Sequence, residues 1–204
     1  MKRWIIKTSL ITLAATVLTL VVVYFFLMLA FPRVLAKGWE AVGSYDLSMR
    51  YYEKQYEASK EMSDLSVLCV KVDVEKDTNR AEKYLAIMTK SSGFSEFCAS
   101  EDADTAQGYG FTAYEFYFGK YAVASYYKYD ITAAVNVAKI ATQNGYSEHN
   151  AFYVILSGVK TLTAADGQAI ESAVSEIKAH LTDAAQIANA ERDENIARSI
   201  YENI

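Results

Sequence analysis

The sequence predicts an all-α protein: one N-terminal membrane-spanning helix, then an α-solenoid-like array of antiparallel helical hairpins. Three observations carry this expectation. Residues 8–32 contain no charged side chain. Short polar residues that start helices recur at close intervals through the rest of the chain. No segment shows the strict apolar–polar alternation of a strand, and Pro32 is the single proline.

The first element is "TSLITLAATVLTLVVVYFFLMLAFP", residues 8–32. As a helix it extends about 37 Å, more than a hydrocarbon core of about 30 Å requires. It has no polar face, so a surface or core helix of a water-soluble fold does not explain it. Lys2, Arg3 and Lys7 precede it, as at the start of a signal peptide, and Val34-Leu35-Ala36 resembles a cleavage site. The apolar run is much longer than the 7–15 residues of a signal sequence, which favours a retained anchor. Basic residues before the span, against Arg33 and Lys37 after it, place residues 1–7 in the cytoplasm and residues 33–204 outside a cell membrane. Thr8, Thr12, Ala15, Thr16 and Thr19 share one side of the span. Such stripes pack membrane helices together or bond their own backbone, and the second is preferred here.

The region after the span holds all 25 acidic residues and 17 of the 20 basic ones, a net charge of −8. That argues against binding nucleic acid or anionic lipid headgroups, both of which demand positive surface. In order, Asp46 is expected to cap "LSMRYYEKQYEAS" and Ser63 to cap "DLSVLCVKVDV". Asp77 precedes "TNRAEKYLAIMTK", Asp130 precedes "ITAAVNVAKIAT", and Ser147 precedes "EHNAFYVILSGV". Asn144-Gly145 offers a helix stop, and Asp166-Gly167 marks a turn before "QAIESAVSEIKAHL". Thr182 starts a final capping helix at about 183–202. Helices this closely spaced bury their apolar faces only by stacking against neighbours.

"GSYDLSMRYYEKQ", Gly43 to Gln55, resembles the second half of a tetratricopeptide repeat. Gly43, Tyr45, Ser48 and Tyr52 fall in the order of that family's small and aromatic positions, with Gln55 replacing the final alanine. A shift of 33 residues puts Ala81, Leu85 and Met88 on Ser48, Tyr52 and Gln55. The motif covers residues 34–91; the repeat-closing proline is absent, and later helix pairs keep only the rhythm. The resemblance implies binding of a protein or peptide, with the inner helix of each pair lining the surface.

Ten aromatics lie between Tyr109 and Tyr129. On a helix over 112–129, Tyr114, Phe118, Tyr121 and Ser125 form one stripe with Tyr117 beside it. Phe116, Val123 and Tyr127 form a second. Two apolar directions describe a helix sandwiched between neighbours, while Gly110, Gly119, Ala113, Ala122 and Ala124 permit close approach. Glu115, Lys120 and Lys128 interrupt any membrane-seeking run. Core packing is favoured over recognition, with margins such as Tyr126 and Tyr129 half exposed. Tyr also suits interfaces, so Tyr45, Tyr52, Tyr114, Tyr121 and Tyr126 are the candidate partner-binding residues.

Chemistry is sparse. His149 and His180 fall within expected helices, without the neighbouring ligands that a metal site needs. No nucleophile motif or phosphate loop is present, and no cofactor is implied. Cys69 and Cys98 either pair in a disulfide or remain separate, Cys69 as a small buried residue. "SEDADTAQG", residues 100–108, reads as a solvated acidic link rather than a calcium loop. The leading expectation is therefore a membrane-anchored adaptor or scaffold without enzymatic activity. The alternatives are a small-ligand-binding or enzymatic domain whose pocket encloses Glu115 and Tyr hydroxyls, or a structural subunit of a membrane complex.

Overall fold

The computed structural model describes residues 2–100 and 112–202. Among these residues every regular element is helical: α1 Lys2–Ala30, α2 Pro32–Ala41, α3 Tyr45–Ser59, α4 Met62–Lys71, α5 Thr78–Lys90, α6 Phe94–Cys98, α7 Ala113–Lys128, α8 Ile131–Ala141, α9 Ala151–Gly158, α10 Ala164–Lys178 and α11 Ala184–Glu202. A 3₁₀ turn, Thr142–Asn144, follows α8. The expected acidic link beyond Ser100, and Tyr109, Gly110 and Phe111 of the aromatic stretch, lie outside the described residues. The chain divides into two units, Met1–Asp64 and Leu65–Ile204.

In the first unit, Ser9–Ala30 of α1 is long and apolar enough to cross a membrane, and none of its most apolar window is buried. The helix stops two residues earlier than expected because proline disfavours helical backbone in the residue before it. Phe31 accordingly takes φ −139° and ψ 58°, and Pro32 opens α2, where its missing N–H costs nothing. Gly43 turns the chain into α3 at φ +77°, a left-handed conformation that glycine adopts without strain. The N-cap is Ser44, not Asp46, which sits in the first turn where its charge complements the helix dipole. Within α3, Ser48, Met49, Tyr51 and Tyr52 are buried, and α2 packs alongside. Tyr51 donates to or accepts from Tyr24 of α1 at 2.5 Å.

In the second unit α7 is the central element: α5, α6, α8 and α9 all pack on it. The sandwich expected from its two apolar directions is present. Phe118, Tyr121 and Ser125 of the first stripe are buried with Tyr117 beside them and Tyr114 is half-buried; on the second, Val123 is buried and Phe116 and Tyr127 are half-buried, as is Tyr126, while Tyr129 is exposed. Gly119 is required by α9: a Cβ there would stand 2.7 Å from Cγ2 of Val154. Ala81, Leu85 and Met88 of α5 are fully buried. At the C-terminal end α10 packs on α8 and α11, and Gly167 lets α11 approach so closely that a Cβ would lie 2.8 Å from the Ala197 carbonyl.

Asp77 and Asp130 cap α5 and α8 as expected, accepting from the N–H groups of Arg80 and Ala133. Other boundaries differ. Ser63 lies inside α4, which begins at Met62. Asn150, not Ser147, caps α9, its carbonyl accepting from Phe152 and Tyr153. Residues from Ser147 to His149 are therefore loop, and His180 falls just beyond α10. Asp166-Gly167 is not a turn but the first turn of α10, where Thr163 and Asp166 form a reciprocal capping box. α11 starts after Asp183, whose carboxylate accepts from Gln186.

Candidate functional site

In the second unit a cleft of about 150 Å³ lies where the start of α7 meets the loop after α8. Thr112 and Glu115 fix its rim by a capping box. The Thr112 hydroxyl accepts from the Glu115 amide at 3.2 Å, and Glu115 Oε2 accepts from the Thr112 amide at 2.7 Å. Across the cleft, Gly145 at φ +124° turns the chain so that Asn144 and Ser147 face these groups. Asn144 Nδ2 donates to the Tyr114 hydroxyl at 3.0 Å. Phe94 supports the floor, with ring centroids 5.6 Å from Tyr114 and 5.7 Å from Phe118.

Electrostatically the cleft is anionic. Burial alone would raise the Glu115 carboxyl, but hydrogen bonds from Ser147 and Thr112, with His149 nearby, hold it below the ordinary carboxylate range. Burial pushes the Tyr114 hydroxyl up, so it stays neutral. The site therefore presents a carboxylate, an aromatic face and amide or hydroxyl groups. That set recognises a cation or an N–H donor. On the far side of the 144–147 loop lies a second depression of about 330 Å³, bounded by Gln186 and Asn189.

Of the five Tyr residues expected to bind a partner, Tyr45 and Tyr52 belong to the first unit and Tyr114, Tyr121 and Tyr126 to the second. Tyr52 is buried, donating to Glu40 at 2.8 Å, and burial with that bond raises its hydroxyl to about 12. Tyr121 is also buried, under the Lys90 ammonium at 5.9 Å. Neither offers side-chain surface to a partner, because packing of the helix pairs consumes it. Tyr126 is half-buried, its hydroxyl donating to Asp166 and the Thr161 carbonyl. Tyr114 alone of the five lines the cleft. Asn144 and Ser147 were legible only as turn and cap residues.

Cys69 and Cys98 are both free thiols, Cys69 fully buried. Burial raises each to about 12. Among the described residues no group of three His, Cys, Asp or Glu side chains is placed to hold a metal. A buried polar network ties the loop behind the cleft to α11. Asp193, fully buried, accepts from the Tyr146 hydroxyl at 2.9 Å, Asn150 Nδ2 at 2.8 Å and Arg192 Nε at 2.8 Å. Arg192 also donates to the Glu148 carbonyl and stacks over Tyr153. No protein-family model matches the chain, and no curated protein or solved structure is significantly similar to it.

Proposed function

We propose that this protein is a single-pass membrane-anchored adaptor whose helical-hairpin domain, outside the cytoplasm, captures a partner through a basic side chain seated at Glu115. The size of the cleft carries this reading. Sites that enclose a whole small ligand occupy about 300–1,000 Å³, whereas 150 Å³ accommodates one anchoring side chain. The ionised Glu115 and the Tyr114 ring suit Lys or Arg, and a domain of net charge −8 draws a basic segment toward it. The succession of helix contacts, α5 on α7, α7 on α8 and α9, then α9 and α10 on α11, supports a stacked array of the tetratricopeptide kind.

A photoreactive side chain at position 114, in intact membranes, is expected to trap a discrete protein, with Glu115→Gln reducing the yield. Trapping that is indifferent to Glu115→Gln refutes the cleft as the docking point. Protease added to sealed cells should reach the domain; complete protection reverses the orientation. The small-ligand reading retains one supporting observation, the Glu115–Tyr114 juxtaposition in a partly enclosed space.

A further inference from the structure

We propose that the corner between α1 and α2 is a phospholipid-binding site, in which Arg33 and Lys37 hold the phosphate of one lipid while α2 lies in the bilayer surface. The proposal rests on the membrane-spanning reading of α1. The 22 residues Ser9–Ala30 measure about 33 Å as a helix, close to the ~30 Å of a hydrocarbon core, so Ala30 falls at its boundary. α2 begins two residues later, so chain connectivity brings its first turn to headgroup depth.

At about 100° per residue, α2 has three sectors. Pro32 and Ala36 are buried, in the sector packed within the unit. A second sector is apolar yet uncovered at Val34, 55% exposed, and the residues that bound the helix, Phe31 at 50% and Val42 at 70%, are uncovered as well. Phe31 and Val34 share a cavity wall with Ala30, the last residue of α1, beside which Leu29 is 72% exposed. By the same count Arg33 and Lys37, one turn apart, lie between the buried face and Val34. Amphipathic helices at membrane surfaces have this construction, with apolar residues among acyl chains and cations level with phosphates.

A cavity of about 330 Å³ opens at this corner, walled by Ala30, Phe31, Val34, Gln55 and the two cations. Asp64 approaches Arg33 only at 3.9 Å, and the Arg33 side chain remains half exposed. The guanidinium thus retains donors for the paired oxygens of a phosphodiester, and the Lys37 ammonium adds a second charge. The greasy wall distinguishes a lipid from free phosphate. Zwitterionic as well as anionic phospholipids carry the required group, so the overall negative charge of the domain does not oppose capture.

Full-length protein in vesicles of phosphatidylethanolamine and phosphatidylglycerol tests this, with one fluorophore on a cysteine at 18, 34, 42 or 176 in a Cys69→Ala, Cys98→Ser background. Lipids spin-labelled near the headgroup should quench positions 34 and 42 about twofold more than 176, an exposed control on α10. Deep-labelled lipids should quench position 18. Quenching at 18 with 34 and 42 matching 176 overturns the proposal while sparing the span. Loss of quenching at 18 overturns both. Phospholipid phosphorus co-purifying with detergent-solubilised wild type should fall by about half or more in Arg33→Gln/Lys37→Gln. Unchanged phosphorus, or displacement by inorganic phosphate, counts against a bound lipid.

Discussion

Replacing Asp193 by alanine should be among the most damaging single changes in the second unit. Its carboxylate is fully buried and accepts from three donors, Tyr146 and Asn150 of the loop before α9 and Arg192 of its own helix. Arg192 is partly exposed and regains water. Tyr146 is 1% exposed, and its hydroxyl would be left without an acceptor. An unsatisfied buried donor costs about 1–3 kcal/mol, and removal of one member of a buried charged network costs about 3–5 kcal/mol. A loss of about 4 kcal/mol is therefore expected, set against a typical domain stability of about 5–15 kcal/mol. In urea unfolding of the full-length protein in detergent, followed by far-ultraviolet circular dichroism, this lowers the midpoint by about 2 M for an m of about 2 kcal/mol/M. Tyr146→Phe combined with Asp193→Ala should cost less than the sum of the single changes, since both remove the same bond. A midpoint shift under about 0.3 M, or strict additivity, would refute the account of this network.

Three further outcomes are expected. Gly119→Ala should destabilise by about 1–3 kcal/mol despite alanine's better helix propensity, because Val154 is stiff and crowds the new methyl; Val154→Ala in the same chain should restore most of the loss, as read by thermal midpoint. Lys120, whose ammonium donates to the Cys69 and Val70 carbonyls, is pushed down to about 8 by burial. The unfolded chain therefore holds that proton to higher pH, so this residue's contribution makes stability rise between pH 8 and about 10.5, and Lys120→Met should flatten that slope. Migration of the protein should be the same with and without reductant, because Cys69 and Cys98 are unpaired; a shift abolished by Cys98→Ser contradicts this.

Signals confined to a few adjacent residues were legible. Asp77 and Asp130 cap their helices because the carboxylate needs only the amide three residues on, which the sequence itself supplies. The aromatic helix was legible for a related reason: its period states which faces are covered. Where two local solutions compete, the sequence misled. Asp166-Gly167 has turn composition, yet Thr163 recruits Asp166 into a capping box and Ala197 requires the glycine for close approach. Ser147 lost the capping role to Asn150, whose side chain is also held by Asp193, 43 residues away. "ERDEN" around Asp193 reads as solvated helix, and only long-range partners reveal it as interior. The cleft was hidden likewise: Glu115 and Ser147 meet through a fold, not through spacing.

Two inner threonines of α1 bear on its proposed role as an anchor. Thr16 and Thr19 each donate to a carbonyl one turn back, Thr12 and Ala15, at 2.9 Å. Each hydroxyl proton is already committed to its own rod, so these side chains offer no donor to a neighbouring one. A foreign hydrophobic segment of matching length should therefore moor the chain equally well, provided that Tyr24 is kept for its tie to Tyr51.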